Sequence, residues 1–169
     1  MLNQFIQTVR RNHALEHATV TLMLNRLGPD IRLVGRATGD GFYIYGDVPT
    51  DVLTECVHEG LARLKKGEAF WAVTPLCGTN LATAGILAGL SSMAVMGGGG
   101  SRRDRLPSVL FAGIVGVIAA QPLGRWVQKH VTTRPDLDEV EIVAVESGNR
   151  GVVHKVRTRR APQVAVTSL

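Results

Sequence analysis

Two runs without a charged residue, 81–96 and 106–123, occupy the middle of this chain, joined by a short glycine- and arginine-rich connection. Nothing else in the sequence limits the fold so strongly. Each run is close to the ~20 residues that a helix needs to cross the hydrocarbon core of a bilayer, and Asn80 or the following glycines lengthen the first. Small residues recur at helix-packing spacing: Gly85 and Gly89 form G-x-x-x-G, and Ala112, Gly116 and Ala120 keep the same period. That spacing lets two helices approach closely inside a membrane. The pattern predicts a hydrophobic helical hairpin over 81–123, transmembrane on this reading. The competing environment is the interior of a soluble oligomer. Arg102, Arg103 and Arg105 lie in the connection, whereas Lys65, Lys66, Arg125, Lys129 and Arg134 flank the other end. The balance leans slightly towards a cytoplasmic soluble part.

The segments around the hairpin read as a small α/β domain. Residues 2–27 have the apolar period of an amphipathic helix, stopped by Gly28-Pro29. A β-hairpin is expected over 31–38 and 42–47, turning at Gly39-Asp40-Gly41. Pro49-Thr50-Asp51 opens a second amphipathic helix that runs to Lys66, and Gly67 closes it. The apolar run 69–73 reads as a buried third strand, and 74–80 as a loop of turn residues. After the hairpin come a short basic helix near 125–133, an acidic turn at 136–139, and strands at 141–146 and 152–158. The fold class is α+β: a small mixed sheet of about five strands, packed by two amphipathic helices, with the hydrophobic hairpin inserted. Its parts are 1–80, the N-terminal part of the α/β domain; 81–123, the hairpin; 124–160, the C-terminal β-hairpin; and 161–169, a flexible tail.

On the first helix, His13-Ala14-Leu15-Glu16-His17 spells H-x-x-E-H. At 100° per residue Leu2, Ile6, Val9, His13, Glu16, His17, Val20, Leu24 and Leu27 share one stripe, so three ionisable groups interrupt a core-facing surface. Burying such groups unpaired costs roughly 2–7 kcal/mol each. A metal ion satisfies them, and so does a closed hydrogen-bond network with a facing loop. The motif resembles that of the inverzincin metalloproteases, which implies Zn²⁺ held by His13 and His17 and water activated by Glu16. A third ligand is then required. Cys77, in the loop at the mouth of the hairpin, is the first choice, with His58 and Glu59 on the second helix behind it. Cys56 reads as a buried small hydrophobe, and His130 and His154 as surface residues. In the alternative reading the His–Glu cluster is structural, with Thr79 and Asn80 completing a network, and the protein is a non-catalytic membrane subunit or scaffold. The chain also has no second lobe of the kind that large inverzincin proteases use to hold substrate.

Four stretches carry a wider resemblance: R-N-H-A-L-E-H-A-T at 11–19, P-L-C-G-T-N-L at 75–81, Q-P-L-G at 121–124 and V-T-T-R-P-D-L at 131–137. They resemble an uncharacterised family of small bacterial membrane proteins, classed as a domain of unknown function, over about residues 5–158. The resemblance implies membrane residence and supplies no activity.

The formal net charge of +5 suits basic flanks of a membrane segment, and no aromatic–basic motif speaks for nucleic acid. Two cysteines do not make a disulfide framework. Residues 1–27 are amphipathic rather than continuously apolar and do not read as a signal peptide. The expected setting is the inner membrane with the soluble part in the cytoplasm. The expected partners are the lipid bilayer and further copies or subunits of a membrane complex.

Overall fold

A computed structural model of the chain describes residues 1–97, 102–148 and 151–161. The loop positions 98–101 and 149–150, and all but the first residue of the expected tail, lie outside the described residues. The chain forms two compact units, one made of 1–73 with 132–169, the other of 74–131.

The first unit holds helix α1 (Leu2–Leu27), strands β1 (Val34–Thr38) and β2 (Gly41–Tyr45), helix α2 (Thr50–Lys65), and strands β3 (Val140–Ser147) and β4 (Val153–Arg160). No glycine or proline interrupts α1; it stops at Gly28, whose φ of 93° favours glycine and whose N–H bonds the Leu24 carbonyl at 3.0 Å. Pro49, with extended backbone, precedes α2, and Gly67 at φ 82° follows it. The strands form one antiparallel sheet in the order β1-β2-β4-β3. β4 is thus central, with Phe42 opposite Val156 and Ile44 opposite His154.

The middle of α1 packs against α2, β1 and β2, so it is buried on several faces rather than along one stripe. Leu15, Met23, Phe42, Ile44, Leu53, Val57 and Val156 are fully enclosed. Each such side chain stabilises the fold by roughly 1.5–3 kcal/mol. Gly60 lets α2 approach α1 closely, since a Cβ there would stand 3.2 Å from that of Ala18. The stripe expected from periodicity fails at its N-terminal end, where Leu2 and Ile6 are exposed.

Three expectations are corrected here. Among the described residues the sheet has four strands, not about five, and all of its pairings are antiparallel rather than mixed. The expected third strand is a single 3-10 turn, Ala69–Ala72. Its aromatic residues are not enclosed: Phe70 is 67% exposed, and Trp71 packs half-buried at the core's edge, its indole donating to the Glu68 carboxylate at 3.0 Å. Lastly, His154 is not a surface residue. The central position of β4 encloses it completely.

The second unit holds helices α3 (Gly78–Met96) and α4 (Arg102–Val127). Pro107 and Pro122 lie within α4 rather than at its limits, and π-helical backbone over Gln128–Thr132 continues it. Backbones meet at Gly116, where a Cβ would come within 2.8 Å of Ala88 backbone atoms. Ser92 Oγ donates to the Val109 carbonyl at 3.2 Å across the same seam. Outside the seam, Ile86, Leu90, Phe111 and Ile118 are exposed. Both helices are long and apolar enough to cross a membrane.

Candidate metal centre

His13 and His17 lie one helical turn apart in the enclosed part of α1, with ring centroids 4.2 Å apart. His17 is 2% exposed, and its Nδ1 lies 2.8 Å from the Ala72 carbonyl oxygen. His13 Nδ1 lies 3.0 Å from the Thr132 carbonyl oxygen. A carbonyl only accepts, so in each neutral ring these bonds place the proton on Nδ1 and make Nε2 the basic nitrogen. Metal-binding histidines are held by the same device, which fixes both tautomer and ring direction. A ring nitrogen of each is within 4.8 Å of the other; a zinc–nitrogen bond is about 2.0–2.1 Å.

Glu16 is buried between them in sequence and adjacent in space, its Oε2 standing 3.8 Å from His13 Nε2. The carboxylate occupies room that exists because position 35 is glycine. A Cβ on Gly35 of β1 would overlap the Glu16 carboxylate and stand 2.8 Å from its Cγ. Nothing in the sequence singles out Gly35, which sits in an ordinary strand.

A segment far along the chain supplies the outer contacts of α1. The Arg134 N–H donates to the Arg10 carbonyl at 3.0 Å, Arg10 Nη2 to the Thr133 carbonyl at 3.2 Å, and Arg11 Nε to the Asp136 carbonyl at 2.8 Å. With the His13–Thr132 bond, these contacts seat T-T-R-P-D against R-N-H. Asn12 fastens the opposite side: Nδ2 donates to the Thr38 carbonyl at 2.8 Å, and Oδ1 accepts from Thr158 Oγ1 at 2.7 Å. The flanking residues of the H-x-x-E-H motif are therefore what fix its position on the sheet.

Cys77 belongs to the other unit, where it caps α3. Its Sγ accepts from the Thr79 N–H at 3.4 Å, and the buried thiol is in no disulfide. Helix N-termini favour the thiolate form of cysteine. The loop's polar side chains are occupied locally. Asn80 Nδ2 donates to the Thr74 and Pro75 carbonyls at 3.3 and 3.2 Å, and Gln128 Nε2 donates to Asn80 Oδ1 at 2.7 Å. Gly124 leaves room for the Asn80 amide, which joins the P-L-C-G-T-N-L stretch to Q-P-L-G. The Nδ1 partners of the two imidazoles are the Ala72 and Thr132 carbonyls.

The second-choice ligands are placed otherwise. His58 is exposed. Glu59 accepts from Arg63 Nε at 2.8 Å and from Arg26 Nη2 at 2.5 Å, and these two guanidinium groups, Arg63 foremost, hold its carboxyl below the usual carboxylate range. Cys56 is fully buried in the core, and burial pushes its thiol up. His130 is exposed beside Trp126, with ring centroids 5.0 Å apart.

The fold and the motifs define a class of protein, one with a small α/β unit and an apolar helix pair, that has been grouped by sequence without an assigned activity. The family model described as a domain of unknown function (DUF6391) matches residues 8–145, and the chain belongs to that family. It is similar to an uncharacterised protein of Picosynechococcus sp., with 34% identity over an alignment that covers 89% of this chain and 79% of the relative. No solved structure matches it.

Proposed function

We propose that this is a membrane-anchored metal-binding protein in which His13 and His17 bind zinc through Nε2 and Glu16 is the catalytic carboxylate of a hydrolase. The observation that carries the reading is the pair of Nδ1–carbonyl bonds, from His13 to Thr132 and from His17 to Ala72. Two neighbouring imidazoles, one buried and one half-buried, each oriented through Nδ1 by a backbone carbonyl, suit a shared cation. Cys77 is the third ligand in this reading, on donor chemistry: a buried thiol outside any disulfide, at a helix N-terminus, is a good zinc ligand.

A bound zinc ion supplies a water acidified to a pKa of about 7. The chain's own residues do the rest. Thr132 and Ala72 hold the imidazoles in one tautomer, and Glu16 Oε2 is placed to take a proton and pass it to a leaving group. The two helices fit to cross a bilayer support a peptide or lipid-linked substrate at the membrane surface. Inner-membrane residence, with the sheet unit in the cytoplasm, is part of the same reading; the distribution of arginine and lysine around the apolar pair leans slightly that way.

Metal analysis of detergent-purified protein tests this. One zinc per chain is expected, lost in His13→Ala and in His17→Ala. Cobalt substitution should give a sulfur-to-metal charge-transfer band that disappears in Cys77→Ser. Glu16→Gln should keep the metal and abolish cleavage of a peptide library presented in micelles. Folded protein that takes up no zinc would sink the proposal, leaving a non-catalytic membrane subunit with a structural His–Glu cluster.

A further inference from the structure

The first two turns of α1 leave their apolar side chains uncovered, with Leu2 74% and Phe5 58% exposed. Beside them a cavity of about 330 Å³ is bounded by Phe5, Ile6, Val9, Arg10, His13 and Thr132. That is the small end of the ~300–1,000 Å³ range of ligand pockets, room for one chain rather than a bulky molecule. Its wall is preformed. The Phe5 ring covers Gly39, where a Cβ would meet Cε2 at 2.5 Å.

The cavity is amphipathic. Phe5, Ile6 and Val9 make its apolar wall, and Arg10 is the permanent charge among its lining residues. The Thr132 hydroxyl is shielded from solvent and has no hydrogen-bond partner among the described residues. No acidic residue precedes Glu16 in the sequence, so the exposed apolar turns carry only positive charge. A helix with an apolar face and a basic end is suited to the boundary between headgroups and acyl chains of an anionic membrane. Thr132 is also where the apolar segment Arg103–Thr132, long enough to cross a membrane, ends.

We propose that these turns and this cavity bind an anionic membrane lipid. One acyl chain lies along Phe5, Ile6 and Val9, its headgroup faces the Arg10 guanidinium, and the Thr132 hydroxyl donates to an ester or phosphate oxygen. A partner protein would be held by polar rim contacts; here the polar groups converge on one cation and one hydroxyl, which suits a single small headgroup. Because His13 lines the same cavity, the bound lipid reaches the candidate metal centre, and a lipid ester or lipid-linked group becomes the substrate class. That last step rests on the metal reading; lipid binding does not.

The test uses the full chain in vesicles of phosphatidylcholine with and without phosphatidylglycerol. A photo-crosslinking amino acid replaces Phe5 or Ile6, or Gln4 as the polar control. Lipid adducts at positions 5 and 6, several-fold above position 4 and enriched in phosphatidylglycerol, are expected. Arg10→Gln should remove the enrichment while adducts to phosphatidylcholine persist. Ile6→Gln, a change at an exposed position, should lower the adduct yield at position 5 several-fold. Absence of lipid adducts, equal labelling at position 4, or adducts only to a second polypeptide would overturn the proposal. Zinc measured on the same samples separates the two readings. Adducts in zinc-free protein uphold the lipid site while the metal centre falls; stoichiometric zinc without adducts does the reverse.

Discussion

The carboxylate of Glu16 fills the space above Gly35, so the acid of the H-x-x-E-H motif and a glycine of β1 share one volume. Gly35→Ala should therefore push Glu16 aside and destabilise the protein by about 1–3 kcal/mol, as overpacking of a core does. In a Glu16→Ala background the same change should cost much less, because the obstructing side chain is gone. Thermal unfolding of the four proteins in this cycle measures the coupling. Strictly additive effects would show that the two positions do not meet.

The tautomers of the two candidate ligands can be observed directly. In metal-free protein, nitrogen-15 spectra of the histidine rings should show Nδ1 protonated and Nε2 bare in both His13 and His17. Protons compete for the Nε2 lone pair, so zinc affinity should fall as the solution is acidified. An Nε2-protonated ring at either position would mean that the carbonyls of Ala72 and Thr132 do not set the site.

Asn12 joins α1 to two strands at once. Asn12→Ala leaves the Thr38 carbonyl and the Thr158 hydroxyl without this partner in a buried place, at a cost of about 1–3 kcal/mol for each group stranded. The stability loss should appear in unfolding midpoints even though Asn12 is no ligand. A change within experimental error would assign those bonds to water instead.

Three carboxylates give the stability a predictable acid limb. Arg63 and then Arg26 lower Glu59, Lys155 and then Thr38 lower Asp40, and Arg11 lowers Asp136 with a smaller contribution from Arg134. A folded-state pKa below the unfolded value adds stability that is complete above the unfolded value and is lost as pH falls through the folded one. For Glu59 that loss starts below its ordinary 4.5. Asp40 and Asp136 are largely exposed, so solvent and salt screen their share, and Glu59 should dominate. Glu59→Gln should flatten the fall of the melting temperature between about pH 5 and pH 3. An unchanged acid limb in that variant would locate the sensitivity elsewhere.

In the helix pair, Gly116 is the position where α4 meets the α3 backbone. Gly116→Leu should separate the helices and lower the unfolding temperature in detergent, whereas Gly85→Leu, with nothing within 4 Å of its added Cβ, should be nearly neutral. Equal sensitivity at both positions would contradict this seam.

Much of the architecture was legible because periodicity reports it. α1, α2, the two β-hairpins and the apolar pair each left a pattern of period near 3.6, of period 2, or of absent charge. The errors have physical causes. At 69–73 an apolar run looked like a strand, but Gly67 turns the chain, Phe70 stays outside, Trp71 packs only at the core's edge, and Ala72 is the fully buried residue of the turn. That misread turn supplies the carbonyl that holds His17. His154 looked exposed because its neighbours are basic; only the strand order shows that β4 is central. His13, Glu16 and His17 were legible as a motif, whereas Gly35, Thr132 and Ala72 act through backbone or through a missing side chain, which leave no chemical signature in sequence.

The placement of β4 between β2 and β3 has a consequence for biogenesis. The ribosome makes β4 last of the four strands, after the whole apolar pair. Until it arrives, β2 presents an unpaired edge in the growing chain, with Phe42 and Ile44 uncovered, the kind of edge that recruits other strands. A reading frame interrupted before residue 153 would therefore yield both hydrophobic helices beside a sheet that cannot close, and such products should be aggregation-prone and quickly degraded.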